Sequence, residues 1–99
     1  MNQMSGRDRP SFTPKQGQYL AFIDAYTRVH RRPPAEADIR RHFGVTAPSI
    51  HQMILTLQRA GFITRQPGVP RSIEVLVPPE DLPILRAQIQ SVKTSVSRY

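Results

Sequence analysis

An amphipathic helix that ends at a glycine is predicted by the segment VTAPSIHQMILTLQRAGFI, residues Val45–Ile63. Its large apolar side chains recur at i, i+3, i+4 and i+7, which places them on one helical face: Ile50, Met53, Ile54 and Leu57. Gly61 suits a left-handed cap. The other face is rich in hydrogen-bonding groups and poor in charge: Ser49, His51, Gln52, Leu55, Thr56 and Arg59. This pattern fits a helix that recognises a ligand and also an ordinary surface helix, so the neighbouring segments must distinguish the two.

A first helix is predicted from Pro14 to about Val29 or His30. Thr13 can cap its start and Gln16 can complete a capping box, while proline suits the first helical position. An apolar stripe at helical spacing is interpreted as core: Tyr19, Phe22, Ile23 and Tyr26.

A second, short helix is predicted from Ala35 or Glu36 to Phe43, because Pro33 ends the first helix and Gly44 stops the second. Ile39 and Phe43 are expected to be its buried pair. A glycine-containing turn of about three or four residues then leads to the helix that begins near Pro48. Two helices joined in this way form a helix-turn-helix.

A β-hairpin is predicted after Gly61, because two β-branched runs, 62–65 and 72–77, are joined by a Pro/Gly-rich loop. Pro78-Pro79 ends the second strand, and a last helix is predicted from Glu80–Pro83 to about Ser91. The fold class is therefore mainly α (α+β): a winged helix-turn-helix with a three-helix core, a two-stranded β-hairpin wing and a C-terminal helix. We divide the chain into a disordered basic arm (1–11), a winged-helix domain (12–77), and a C-terminal helix and tail (78–99).

The charge distribution favours a polyanionic partner. The 99 residues, enough for one domain, carry a net charge of +7, and twelve of the fourteen basic residues are arginine. No acidic residue occurs between Asp38 and Glu74, a stretch that covers the helix-turn-helix and the hairpin. A solvated basic face would look similar, but this coincidence with the helix-turn-helix favours nucleic acid.

Several functional classes are not expected. Cysteine is absent, no apolar run reaches the length of a membrane span, and the N-terminus lacks the apolar region of a signal peptide. We therefore expect a cytoplasmic protein, associated with the nucleoid. The three histidines lie on separate segments and predict no metal site, and no catalytic motif is recognisable, so we expect no cofactor and no enzymatic activity: His30, His42 and His51.

Five segments resemble the N-terminal winged-helix DNA-binding domain of the bacterial LexA repressor family: Phe12-Thr13-Pro14-Lys15-Gln16, Pro33-Pro34, Ile39…Phe43-Gly44, Leu57…Ala60-Gly61-Phe62-Ile63 and Arg71-Ser72-Ile73. The resemblance covers about residues 12–77. MarR-like winged helices are similar more distantly, through the Gly-Phe-Ile sequence after the third helix.

The resemblance implies that the third helix, about 48–60, enters the major groove and that the wing, 65–72, contacts the DNA backbone or minor groove. It implies four base-reading positions: Thr46, Ser49, His51 and Gln52. Glutamine can pair with adenine in the major groove, whereas Thr46 and Ser49 also suit a phosphate at the helix N-terminus. Five arginines are candidates for phosphate contact, the last being the wing position that the resemblance implies: Arg40, Arg41, Arg59, Arg65 and Arg71.

The sequence departs from the family pattern in three respects. The third helix carries different polar residues and starts one residue later, so the base sequence that it reads should differ. Ala35 replaces the usual hydroxyl cap of the second helix. The sequence to Tyr99 leaves no room for the family's C-terminal autoprotease and dimerisation domain, so we do not expect self-cleavage.

These observations predict sequence-specific binding of double-stranded DNA by a repressor-like bacterial transcriptional regulator. A single small module reads few base pairs, so we expect a homodimer, with the C-terminal segment Leu82–Ile89 as the contact. The alternative is a winged-helix protein-protein interaction module without DNA binding, which the apolar Leu55 on the outer face favours and the lack of nearby acids opposes. RNA binding ranks third, because no aromatic stacking surface is visible.

Overall fold

Three helices and a short β-hairpin follow one another in the predicted order. The computed structural model describes residues 11–86. Its elements are α1 (Pro14–His30), α2 (Glu36–Phe43), α3 (Ala47–Arg59), β1 (Ile63–Thr64), β2 (Glu74–Val75) and a 3-10 turn (Pro79–Asp81). The two strands are antiparallel, with Ile63 opposite Val75. This arrangement confirms the predicted winged helix-turn-helix.

Local hydrogen bonds set the ends of α1. The Thr13 hydroxyl accepts from the backbone N–H of Gln16 at 3.1 Å, and the Gln16 side-chain oxygen accepts from the N–H of Thr13 at 2.9 Å. This reciprocal pair is the predicted capping box. At the other end Arg31 takes a left-handed conformation (φ 62°), and its N–H donates to the carbonyl of Thr27.

The turn between α2 and α3 depends on a glycine. Gly44 ends α2 with φ 67°, and its N–H donates to the carbonyl of Arg40 at 2.8 Å. A residue with a side chain is rarely found in this conformation, whereas glycine takes it at no steric cost. Ala35 has no side-chain oxygen for the start of α2, and the Asp38 carboxylate instead accepts from the Ala35 N–H at 2.9 Å.

The core lies where the three helices meet the hairpin. Its buried side chains come from the three helices, from β1 and from the residues that flank β2: Tyr19, Leu20, Ile23, Ile39, Ile50, Ile54, Leu57, Ile63, Ile73 and Val77. Four residues of the predicted apolar stripes are only partly buried: Phe22, Tyr26, Phe43 and Met53. Leu55, expected on the exposed face of α3, is half-buried. The outer face of α3 therefore presents less apolar surface than the sequence predicted.

The predicted start of the C-terminal helix is wrong. Pro79–Asp81 forms a single 3-10 turn, and residues 82–86 are not helical. The side chain of Gln18 on α1 donates to the carbonyl of Ile84 at 2.9 Å and accepts from the N–H of Arg86 at 2.8 Å. These two bonds engage backbone groups that a helix would need for itself. The rest of this predicted helix, and all but the last residue of the predicted arm, lie outside the described residues.

Candidate nucleic-acid interface

The N-terminal part of α3 presents the four residues predicted to read bases. All four side chains are exposed: Thr46, Ser49, His51 and Gln52. Thr46 caps the helix, since its hydroxyl accepts from the backbone N–H of Ser49 at 3.3 Å and lies 3.1 Å from the Ser49 hydroxyl. The structure thus brings these residues together on one surface, with Thr46 and Ser49 engaged with each other.

One carboxylate lies beside this surface. Nδ1 of His51 is 3.7 Å from Oε1 of Glu36, at the start of α2. The acid-free stretch of sequence, 39–73, is therefore not acid-free in space. Sequence reasoning missed Glu36 because it precedes that stretch and approaches α3 only through the packing of α2 against α3.

A groove beside α3 is lined by a cation that was not among the residues predicted from the sequence. Lys15, in the first turn of α1, lines this groove together with Ser49, Gln52 and Thr56 of α3. Among the residues that line the groove there is no acid. The only available signal in the sequence was the position of Lys15 just after the capping residue of α1.

Four of the predicted phosphate-binding arginines have side chains at the surface. Arg40, Arg41 and Arg59 are exposed, and Arg65 is half-buried. Arg41 pairs with Oδ1 of Asp38, and Nε of Arg65 donates to the side chain of Gln58 on α3 at 3.1 Å. These cations lie on α2, at the end of α3 and at the base of the wing, the elements that precede and follow the exposed face of α3 in the chain.

The fifth, Arg71, points into the domain. Its Nη1 lies within hydrogen-bond distance of three oxygen atoms: Tyr26 Oη at 3.2 Å, the Pro33 carbonyl at 3.3 Å and Asp38 Oδ2 at 3.0 Å. The hydrogen bond with Tyr26 and the nearby Asp38 raise the pKa of Arg71 above its usual value. The pKa of Asp38 is lowered, first by the hydrogen bond from Ala35 and also by Arg71.

The wing loop is held together by one hydroxyl. Ser72 Oγ accepts from the N–H of Gln66 at 2.9 Å and lies 2.8 Å from the carbonyl of Val69. Gly68, at the tip, has φ 79°. Val69 is about half exposed at 49%. The loop is therefore internally ordered and presents its tip to solvent.

Comparison with known families agrees with this geometry. The family model described as the LexA DNA binding domain matches residues 10–72. The chain belongs to the LexA DNA-binding domain family. The resemblance stated from the sequence is thereby confirmed, and so is the DNA-binding class of the domain.

The LexA repressors of three bacteria illustrate the relationship. The repressor of Thermosipho africanus (strain TCF52B) is 36% identical over 72 residues, covering 73% of this chain and 36% of the relative. That of Geotalea uraniireducens (strain Rf4) is 39% identical over 62 residues, covering 62% and 31%. That of Thermobifida fusca (strain YX) is 32% identical over 72 residues, covering 72% and 29%. The chain thus spans about a third of the length of these curated relatives.

The other two histidines of this LexA-type domain, His30 and His42, pack against aromatic rings. The rings of His42 and Phe22 stack with centroids 4.3 Å apart, and those of Tyr26 and His30 lie 4.0 Å apart. Within residues 11–86 no three metal-binding side chains come together. None of the helices in that range has the length and apolar character to cross a membrane.

Proposed function

We propose that this LexA-type domain binds double-stranded DNA sequence-specifically and acts as a repressor-like bacterial transcriptional regulator. One observation carries the proposal: four exposed hydrogen-bonding side chains cluster at the start of α3, while α2 and the end of α3 carry exposed arginines. An α-helix fits the major groove, where base edges present distinct patterns of donors and acceptors. In this arrangement α3 lies in the major groove and the wing lies on the backbone or minor groove.

Base recognition is assigned to the exposed face of α3. Gln52 can make two hydrogen bonds with adenine, and His51 can donate to or accept from a base edge. Ser49 and Thr46 are placed at the helix N-terminus, where backbone N–H groups and the helix dipole favour a phosphate. Glu36 faces His51, with its Oε1 atom 3.7 Å from Nδ1 of the imidazole.

Phosphate contact is assigned to the cations around that face. Arg40 and Arg41 lie on α2, Arg59 lies at the end of α3 and Arg65 at the base of the wing. Lys15 of α1 lines a groove that it shares with α3. Arg41 and Arg65 are partly engaged by Asp38 and Gln58 within the domain. We therefore expect Arg40, Arg59 and Lys15 to be the most available for DNA.

The proposal extends to the setting in which the domain acts. A module of this size reads few base pairs, so we propose that two copies bind a two-fold operator. The contact predicted for them, Leu82–Ile89, stays a prediction, since part of it lies outside the described residues. We further propose action in the cytoplasm at the nucleoid, with no catalytic role for residues 11–86.

A selection followed by titration tests this function. Duplexes enriched by the chain from a random pool are compared with unselected duplexes of equal length in gel-shift titrations at low salt. We expect a shared sequence among the enriched duplexes and tighter binding to them. Absence of binding to any duplex at low salt would overturn the proposal and would favour the alternative, a protein-protein interaction module.

A further inference from the structure

We infer that Arg71 is a positioning residue: by bridging the wing loop to α1 and α2 through Tyr26, Pro33 and Asp38, it sets where the wing meets DNA. The inference rests on the proposed function and assigns Arg71 a role other than the phosphate contact predicted from the sequence.

The acceptors of Arg71 come from two helices and their connection. Tyr26 belongs to α1, Pro33 to the segment after it and Asp38 to α2, and all three oxygens lie 3.0–3.3 Å from Nη1. A charge-assisted hydrogen bond with a carboxylate is stronger than one between neutral groups. The wing loop is thereby attached at a point where α1 and α2 adjoin.

Asp38 is itself fixed and makes a rigid acceptor. Its side chain is only 12% exposed. Oδ2 also accepts from the N–H of Ala35 at the start of α2, and Oδ1 contacts Arg41. Because both oxygens of this carboxylate are held, Asp38 offers Arg71 an acceptor at a fixed position. The wing loop is therefore attached in one geometry.

The backbone of the wing points to the same role. Arg71 has φ 57°, in the left-handed region that residues with a side chain seldom occupy. Such a conformation persists where the surrounding contacts determine it. The next residue, Ser72, ties the loop together through Gln66 and Val69. A loop that is ordered within itself and attached at Arg71 can keep one orientation relative to α3.

A phosphate would compete with Asp38 for the same guanidinium. The charge of Arg71 is already offset by a carboxylate 3.0 Å away, so a nearby phosphate gains less from it than from a free arginine. The two possible roles of Arg71, direct phosphate contact and positioning of the wing, therefore predict opposite effects when the Asp38 carboxylate is removed. Direct phosphate contact predicts tighter binding without the carboxylate, whereas positioning predicts weaker binding.

The experiment uses Asp38→Asn, Tyr26→Phe, Arg71→Lys and Arg71→Ala in the full chain. Asp24→Asn is the matched control, because it removes the same charge from a surface ion pair with Arg28. Amide exchange of Gln66 and Val69, whose N–H groups are hydrogen-bonded within the wing loop, is measured by NMR in the free protein. Affinity is measured for a duplex that the wild type enriched from a random pool, and for the same duplex changed at the base pair that Gln52 reads.

We expect Asp38→Asn to weaken binding about tenfold although it makes the chain more positive, and its double variant with Arg71→Lys to be little worse than either single variant. Wing amides should exchange faster, while the preference at the base pair read by Gln52 stays unchanged. A general loss of folding would lower that preference as well. Tyr26→Phe keeps both charges and the start of α2, and it serves if Asp38→Asn does not fold.

Unchanged wing amide exchange in Asp38→Asn and Tyr26→Phe would overturn the inference, whether or not DNA binds. It would also be overturned if Arg71→Ala lowered the salt slope of binding by about one while Asp38→Asn bound as tightly as wild type or more tightly. A wild-type chain that binds no duplex would instead overturn the proposed function. The exchange data on the free protein would still show whether Arg71 attaches the wing loop to α1 and α2.

Discussion

Thr46 and Ser49, both predicted to contact DNA, are hydrogen-bonded to each other at the start of α3. The Thr46 hydroxyl accepts from the backbone N–H of Ser49 at 3.3 Å, and the two hydroxyls lie 3.1 Å apart. A base contact by Thr46 would have to share the oxygen that caps the helix. The residue therefore contributes to recognition first by ordering the helix end that carries Ser49, His51 and Gln52.

Replacing the capping residue tests this contribution. We expect Thr46→Ala to lower the free energy of unfolding by about 1 kcal/mol, because the Ser49 N–H loses its acceptor. Urea denaturation followed by circular dichroism measures the change. Thr46→Ser keeps the oxygen and should stay near wild type. Equal stability of the alanine and serine variants would contradict the role of Thr46 as a cap.

Local signals in the sequence predicted most of the fold. Thr13 and Gln16 form the capping box that their spacing indicates. Gly44 and Gly61 take left-handed conformations after α2 and α3, as their positions suggest. Each of these features depends on residues a few positions apart, so a short stretch of sequence is enough to predict it.

Contacts between distant residues could not be predicted in this way. Asp38 and Arg71 are separated by 33 positions, and Gln18 and Ile84 by 66. Because of the first pair, Arg71, a predicted phosphate ligand, points into the domain. Because of the second pair, residues 82–86 do not form the predicted helix. Neither residue type nor periodicity indicates such a partner, because only the packing of elements that are distant in the chain creates it.

Gln52 gives a specificity prediction. Gln52→Ala should reduce discrimination at one base pair by about 1–3 kcal/mol, because the bidentate contact with adenine is lost. Gel-shift titrations against the enriched duplex and its single-base-pair variants measure this difference. Arg65→Ala should instead weaken all duplexes alike, so it is the comparison variant. If Gln52→Ala weakened every duplex by the same factor, Gln52 would not read a base.

Arg40 and Arg59 give a prediction on salt dependence. Each should contribute one phosphate contact, so Arg40→Gln and Arg59→Gln should each reduce the slope of log K against log salt by about 0.9. Fluorescence anisotropy with a labelled duplex over a series of salt concentrations measures the slope. Arg28→Gln removes the same charge from the α1 ion pair with Asp24 and is the control. Equal slopes for all three variants would exclude specific phosphate contacts by Arg40 and Arg59.

Gln18 gives a prediction on the segment after the wing. Gln18→Ala removes both hydrogen bonds with the backbone of Ile84 and Arg86, so the Arg86 amide should exchange faster with solvent. The free energy of unfolding should fall by no more than about 1.5 kcal/mol, because both bonds are exposed. Gln18→Glu keeps an acceptor for the Arg86 N–H and should retain part of the protection. Unchanged Arg86 exchange in Gln18→Ala would show that the segment is held by other contacts.

His42 predicts how stability depends on pH. Burial lowers its pKa below the usual 6.5, and its Nε2 is buried without a hydrogen-bond partner among residues 11–86. As the pH falls below 6.5 the unfolded chain takes up this proton before the folded chain does, so the free energy of unfolding decreases. The contribution of neutral His42 to the free energy of unfolding is complete at pH values above 6.5. It is lost as the pH falls from 6.5 to the lowered pKa of His42 in the folded chain. Asp38 acts in a separate window, below its usual pKa of 3.8.

Urea denaturation at a series of pH values measures this effect of His42. His42→Phe keeps an aromatic ring against Phe22, removes the titrating group and should abolish the decrease that begins at pH 6.5. His30→Gln removes an exposed histidine and should leave the decrease in place. If wild type and His42→Phe lost stability in parallel as the pH fell, the proton would be taken up elsewhere, and burial of His42 would not limit the stability of the domain in acid.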